Sequence, residues 1–272
     1  MVTRIEDKTN AMRKNNLLEA ILSELSETRF NKIKHVSETG STNTDLVLKA
    51  SELTDGFVLV SDHQTDGRGR LGRHWETPPS KNLLFSVLLH PNWPIERHQL
   101  VTPVLALATV EMLESLGLRA TVKWPNDVMV EREGENKIAG ILAEYVQQEN
   151  PVLVVGMGLN VEWPYREDPA PPDSTSLKAC GIEKDRSELL IEILKNFDKR
   201  LDEISSEKGS TTFRQAYTAK SSTIGNQVKV KKSEGDITGK AVGVEEDGSL
   251  IIENENGIIS ITAGDVIHLR KL

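Results

Sequence analysis

The chain almost lacks cysteine: Cys180 is the only one in 272 residues. A lone thiol closes no internal disulfide and supplies none of the paired-cysteine zinc or redox motifs, so its plainest reading is a buried or idle thiol. No apolar run approaches the length that spans a bilayer. The opening stretch, Met1-Val2-Thr3-Arg4-Ile5-Glu6-Asp7-Lys8, has neither the apolar region nor the small-residue cleavage site of a secretion signal. Together these predict a cytoplasmic protein. A basic excess is also missing. The formal charge is −8, which argues against a general nucleic-acid binder with its basic footprint. His35, His63, His74, His90, His98 and His268 are scattered without metal-ligand spacing. No Ser-His-Asp set stands out, and no carboxylate pair suggests acid–base hydrolysis. There is no fixed-period repeat and no low-complexity tract. What remains is an ordinary soluble composition, 38% hydrophobic and 27% charged, long enough for one large domain or for a large and a small one.

Apolar spacing orders the chain. Residues 1–15 read as a polar leader, and Leu17, Leu18, Ile21, Leu22 and Leu25 then recur at helical spacing to near Phe30. Residues 1–32 are thus a leader and one short helix, less chain than a helix-turn-helix or winged module needs. A strand is expected at Ile33–Val36. Ser41, Thr42 and Asn43 follow, with Thr42 and Asp45 resembling an N-cap pair before a helix over Thr44–Leu53. Strands at Phe57–Ser61 and Asn82–Leu89 flank a glycine-rich loop. Leu100–Leu116 is an apolar helix ended by Gly117. Thr121–Trp124, Val128–Val130, Ile138–Tyr145 and Val152–Val155 are strands whose short links suggest an antiparallel meander. After a proline-rich loop at Asp168–Pro172, Asp185 and Glu188 form a capping-box-like start to a helix through Ile204, and Thr212–Lys220 is a last helix. Beyond Ser222 the chain turns to short strands, and about fifty residues of them read as a small β-barrel or sandwich. The expected division is 1–32, 33–222 and 223–272.

The stretch Gly67–Arg73 concentrates three glycines and three arginines in seven residues of an acidic protein. Glycine lets backbone approach a ligand, and arginine supplies planar, permanently charged forks for carboxylate and phosphate. A mobile loop closing over a small anionic ligand is the first reading. Gly67, Gly69 and Gly72 satisfy the dinucleotide fingerprint, but Pro78 and Pro79 deny the helix it requires and no acid ends the next strand. No Gly-Lys-Ser/Thr follows, so the Walker pattern fails too. An RGG-like nucleic-acid patch wants repeats and aromatics, and only Trp75 is near. A solvated turn stays open for the loop taken alone.

Three further stretches carry chemistry. In Lys123-Trp124-Pro125-Asn126-Asp127, the last two residues are turn formers or else hold Mg²⁺ on phosphate oxygens, since Mg²⁺ often takes only one or two protein oxygens. Lys137 precedes an apolar strand in which Gly140 permits close approach; pointing inward, it is a compact charge for phosphate or carboxylate. Gly156 and Gly158 follow a buried strand, and Asn160 offers donor and acceptor to a heterocycle edge.

In this order, Ser41–Asn43, the Q-x-x-G-R-G-R-x-G-R-x-W run from Gln64 to Trp75, Lys123–Asp127, Lys137–Ile141 and Gly156–Asn160 resemble the biotin–protein ligases (biotin–[acetyl-CoA-carboxylase] ligases), from about Ile33 to the C-terminus. The resemblance implies an α/β fold of α+β type: a mixed-sheet, class II synthetase-like catalytic domain followed by a small SH3-like β-barrel. It implies ATP and Mg²⁺, biotin as substrate and a biotin carboxyl carrier domain as partner. The short N-terminal stretch and the acidic balance speak against DNA, and the lack of a long apolar run against a membrane; monomer and homodimer both stay open. Carried over by position, Ser41, Thr42, Asn43, Gln64, Arg68, Gly69, Arg70, Lys137 and Gly140 would bind biotin. Arg73, Trp75, Lys123, Asn126, Asp127 and Asn160 would serve ATP, with Asp127 toward Mg²⁺. Arg70 and Lys137 would stabilise charge during adenylation. Asp66 departs from the pattern, placing an acid in the loop, as does Leu71, where some members carry arginine. A lipoate or octanoate ligase of similar fold is the neighbouring alternative, and a non-catalytic biotin-binding or DNA-binding regulator the more distant one.

Overall fold

β3 (Leu83–Leu89) is buried at every position, and so is β7 (Val152–Leu159). Strands apolar on both faces belong in the middle of a covered sheet, and these two pair antiparallel at its centre. The computed structural model, which describes residues 18–149, 151–232 and 235–269, builds a seven-stranded mixed sheet around them in the order β1-β2-β3-β7-β6-β5-β4. β1 (Lys32–Val36) and β2 (Phe57–Ser61) are parallel. β4 (Ala120–Lys123), β5 (Asp127–Glu131) and β6 (Glu135–Val146) join β7 in the expected antiparallel meander. The helix α1 is seen over 18–24; the expected leader, 1–15, lies outside the described residues.

The two faces of this sheet differ. One is covered by α3 (Val101–Ser115), apolar nearly all round and buried at eleven positions, as a core helix should be. The amphipathic α4 (Arg186–Ser205) lays Leu189, Leu190, Ile193, Leu194, Phe197, Leu201 and Ile204 into the same core. Among the described residues the helix on the other face is α2 (Thr42–Leu48), whose Leu46 packs with Leu59, Leu88, Val152 and Val154. Side chains alternate along a strand. Leu88 and Val154 under α2 are therefore followed, two residues further on the same face, by the paired Ser86 and Gly156. Gly158 comes next, paired with Gly140 of β6. The apolar floor under α2 thus gives way to a shallow one of serine and glycine.

Several expectations change here. Thr42 does not cap α2; Ser41 is the N-cap and makes no side-chain cap bond, while Thr39 Oγ1 donates to Asp45 at 2.6 Å. The helix stops at Leu48, short of Leu53. Gly156 and Gly158 lie inside β7, not after it. The Asp185 carboxylate does accept from the Ser187 N–H at 2.7 Å, but Glu188 pairs with Lys184 in place of closing a capping box.

α5 (Gly209–Lys220) leads into β8 (Gln227–Lys231), β9 (Ile237–Val244), β10 (Leu250–Asn254), β11 (Gly257–Ile261) and β12 (Asp265–His268). These form an antiparallel five-stranded sheet ordered β11-β10-β9-β8-β12, whose Val228, Val230, Ala241 and Leu250 belong to the main core. The turn after β4 is tied to this second sheet: the Trp124 N–H donates to Thr223 Oγ1 at 3.0 Å and Trp124 Nε1 to the Gly248 carbonyl at 3.1 Å. No helix of the described residues is long and apolar enough to cross a membrane.

Tyr217 on α5 is buried, and its hydroxyl has no partner among the described residues. Burial pushes its pKa well above the usual phenol range. An unsatisfied buried hydroxyl costs about 1–3 kcal/mol. Tyr217→Phe should therefore leave the thermal midpoint unchanged or raise it, which calorimetric melting checks; a clear drop would reveal an acceptor for the hydroxyl.

Candidate active site

A cavity of about 360 Å³ opens on the α2 face where the floor turns to serine and glycine. Its closed end is polar and neutral. The chain before the arginine loop is zipped to the turn before α2: the Thr65 N–H donates to the Thr39 carbonyl at 2.9 Å and the Asp66 N–H to the Gly40 carbonyl at 2.8 Å. This brings Gln64 beside Ser41–Asn43. The Thr42 N–H donates to Gln64 Oε1 at 2.7 Å. Thr42 Oγ1 lies 2.6 Å from Ser86 Oγ, and Ser86 Oγ donates to Asn43 Oδ1 at 2.6 Å. A hydroxyl has one proton. Thr42 Oγ1 also donates to Gln64 Oε1 at 3.0 Å, so its single proton is shared between Gln64 and Ser86, and the four side chains form one hydrogen-bonded chain. Asn43 Nδ2 then donates to Glu144 Oε2 at 2.9 Å, and Arg68 Nη2 donates to the same oxygen at 2.6 Å. Gln64 Nε2 and the Ser41 hydroxyl make no hydrogen bond within the described residues, and both side chains line the cavity.

The middle is flat. A Cβ on Gly158 would stand 2.3 Å from Trp75 Cε2, and one on Gly140 2.8 Å from Cζ3, so the indole rests on the paired glycines. Its buried Nε1–H has no acceptor among the described residues. Lys137 Nζ lies 5.3 Å from the centre of an indole ring, within cation–π range, and 2.6 Å from Asp127 Oδ1. Lys137 is inside β6, two residues past its start, and faces the cavity.

The open end is cationic. The 67–75 loop is a hairpin: the Trp75 N–H donates to the Gly67 carbonyl at 2.8 Å and the Gly69 N–H to the Arg73 carbonyl at 2.7 Å. Gly67 has to be glycine, since a Cβ would meet the Trp75 carbonyl oxygen at 2.3 Å. At the tip, exposed Leu71 takes a left-handed φ of 55°. Arg70 Nη1 donates to the Gly264 carbonyl at 3.2 Å and lies 3.4 Å from Asn126 Oδ1 and from Asp265 Oδ1; Arg73 pairs with Asp265 Oδ2. Burial draws the Arg70 pKa below the usual arginine range, opposed by Asp265 and Asp127. Lys123, Asn126 and Lys231 complete this wall.

Among the expected site residues, Ser41, Thr42, Asn43, Gln64, Arg68, Gly69, Arg70, Arg73, Trp75, Lys123, Asn126, Asp127, Lys137 and Gly140 all line this cavity. Asn160 does not. Both ends of its buried amide are used, Nδ2 donating to the Thr175 carbonyl at 2.9 Å and Oδ1 accepting from Asn82 at 3.0 Å. Ser86, Glu144 and Asp265 were not anticipated. Ser86 had a signal, the single polar residue in an otherwise apolar strand. No group of three or more His, Cys, Asp or Glu among the described residues could hold a metal ion. Asp127 is already paired with Lys137, so the protein's own donors do not fit a Mg²⁺ site, and none of the chemistry below is routed through the ion.

Comparison with known proteins agrees with this layout. Residues 36–162 match the model of the Biotin/lipoate A/B protein ligase family and residues 223–269 that of the Biotin protein ligase C terminal domain. The chain is 35% identical over 244 residues to the biotin–[acetyl-CoA-carboxylase] ligase of Mycobacterium tuberculosis, covering 86% of this chain and 88% of that one. It is 29% identical to the bifunctional ligase/repressor BirA of Escherichia coli, over 85% of this chain and 72% of that one. The solved structure of the Aquifex aeolicus biotin protein ligase in complex with biotin and ATP superposes with a TM-score of 0.75 at 33% identity, covering 89% of this chain and 100% of that one. From motif order, sheet topology and these likenesses, the chain belongs to the biotin protein ligase family.

Proposed function

We propose that the cavity binds biotin with its ring system at the neutral end and its carboxylate toward Lys137, and ATP along the cationic wall. The observation that carries this is the polarity gradient of one cavity. The Gln64–Thr42–Ser86–Asn43 relay offers uncharged donors and acceptors to an uncharged ureido ring, while Lys137, Arg70, Arg73 and Lys123 gather where anions must meet. A biotin carboxylate oxygen attacks the α-phosphorus of ATP. The bond from the α-phosphorus to the bridging oxygen breaks, pyrophosphate leaves with that electron pair, and biotinyl-5′-AMP remains. The ε-amine of a carrier-domain lysine then attacks the acyl carbon; AMP departs, the amine loses a proton and an amide forms. Both reactants of the first step are anionic. Lys137 and Arg70 offset their repulsion and hold the attack line, effects that act in the transition state. Arg68 and Gly69 close over the biotin tail, Gly140 lets the indole lie flat on the floor beside it, and Trp75 and Asn126 border the nucleotide. Asp127 orients Lys137. Asn160 supports the nucleotide side indirectly, by fixing the end of β7. In the division of labour proposed, 33–222 carries both ligands, 223–272 walls the open end, and a biotin carboxyl carrier domain is the macromolecular substrate.

Pyrophosphate release is the test. With ATP and Mg²⁺ it should depend on biotin and stay near background with lipoate, whose dithiolane cannot use the amide and hydroxyl partners of the neutral end. Equal release with lipoate would move the assignment to the lipoate ligases.

A further inference from the structure

Asp265 belongs to none of the sequence motifs, yet it reaches into the cavity from the small sheet. Its carboxylate spans two arginines of the hairpin, Oδ1 lying 3.4 Å from Arg70 Nη1 and Oδ2 accepting from Arg73. The preceding carbonyl, of Gly264, accepts from Arg70 Nη1 at 3.2 Å. That backbone approach is built in: a Cβ on Gly264 would stand 2.4 Å from Val230 Cγ1. Across the strands Asp265 faces Lys231, which lines the same cavity. One acid therefore stands among three cations, and the open end keeps a net positive charge. The Arg70 guanidinium is held by a single corner. Nη1 takes all its contacts, while Nη2 and Nε make none within the described residues. A planar guanidinium fixed at one nitrogen presents its remaining edge as a preset fork for phosphate oxygens.

We propose that Asp265 is a positioning residue of the ligase reaction: it clamps Arg70 and Arg73 to the small sheet, so that the hairpin keeps the acyl-adenylate in the cavity between the two chemical steps. The inference rests on the biotin–ATP reading of the cavity. It assigns to the small sheet a role in holding the intermediate that is separate from holding biotin. Biotin's ring is served by Gln64, Thr42 and Asn43, none of which touches Asp265. Loss of the clamp should therefore release the adenylate and leave biotin binding alone.

The experiment forms the adenylate from labelled biotin and ATP on the full chain, chases with unlabelled biotin, and follows loss of label. Asp265→Asn should lose it about tenfold faster or more, the scale of a lost charge-assisted contact, with biotin affinity in the absence of nucleotide unchanged. Asp265→Glu, which keeps the charge, should stay close to the parent protein. Arg73→Gln breaks the pair from its exposed end, so it bears on the clamp even if Asp265→Asn fails to fold. It should speed loss as Asp265→Asn does, and the double variant should add nothing. Retention equal to the parent in either single variant, equal damage from Asn and Glu, or additive losses would overturn the role. A parent protein that forms no adenylate would instead strike at the reading of the cavity.

Discussion

Replacing Lys137 by methionine should slow biotin-dependent pyrophosphate release by about two to three orders of magnitude, the usual cost of removing one preorganised stabiliser of transition-state charge. Two effects add here. The ammonium that meets the carboxylate and the α-phosphate is gone, and Asp127, now 2.6 Å from nothing positive where Nζ had been, adds its own negative charge to the repulsion. Methionine fills much of the volume and keeps contact with the indole. Lys137 is also a partly exposed side chain, so the fold should tolerate the change. Because the biotin ring is held at the other end of the cavity, biotin affinity should fall far less than the rate. Kinetics of pyrophosphate release beside calorimetric biotin titration separates the two; equal losses in both would place Lys137 in ground-state binding only. Asp127→Asn in the same background should recover part of the rate.

Gly156→Ala should cost about a hundredfold in biotin affinity, although it adds one methyl group to a strand whose backbone accepts alanine. The new Cβ would stand 2.1 Å from Asn43 Oδ1 and 2.8 Å from Ser86 Oγ. Asn43 must move, and it then loses both the Ser86 hydroxyl and the Glu144 carboxylate. The displaced amide no longer faces the ligand, and the loss of two hydrogen bonds to the ring would be worth roughly 2–4 kcal/mol, each 1.4 kcal/mol being about tenfold in binding. The Arg68–Glu144 pair shares the same oxygen, so the disturbance reaches the hairpin as well. Titration calorimetry with biotin alone reads the effect. Unchanged affinity would mean that Asn43 lies outside the biotin site.

How far the sequence led depended on the range of the contacts. β3 and the buried face of α4 were legible because their apolar periodicity is local and nothing in the tertiary structure opposes it. The motifs marked the cavity well, since a ligand surrounded on several sides demands unusual residues at each. Three readings failed where a distant partner decided. Gly156 and Gly158 read as lying past the end of a strand; they are inside β7, where Asn43 and Trp75 lie against them. Thr42 resembled a cap, but its hydroxyl is spent on Gln64 and Ser86, twenty-two and forty-four residues away. Asn160 resembled a heterocycle contact, but its amide is filled by Asn82 and Thr175. Glu144 and Asp265 had no local mark at all. Each is an ordinary acid in a strand until the fold sets it against an arginine of the 67–75 hairpin.

The most direct measurement is the intact mass of a biotin carboxyl carrier domain incubated with this protein, biotin, ATP and Mg²⁺. The carrier should gain a single biotinyl group on one lysine, with none when ATP is withheld or lipoate replaces biotin. A carrier of unchanged mass, under conditions where an established biotin protein ligase modifies it fully, would contradict the assignment.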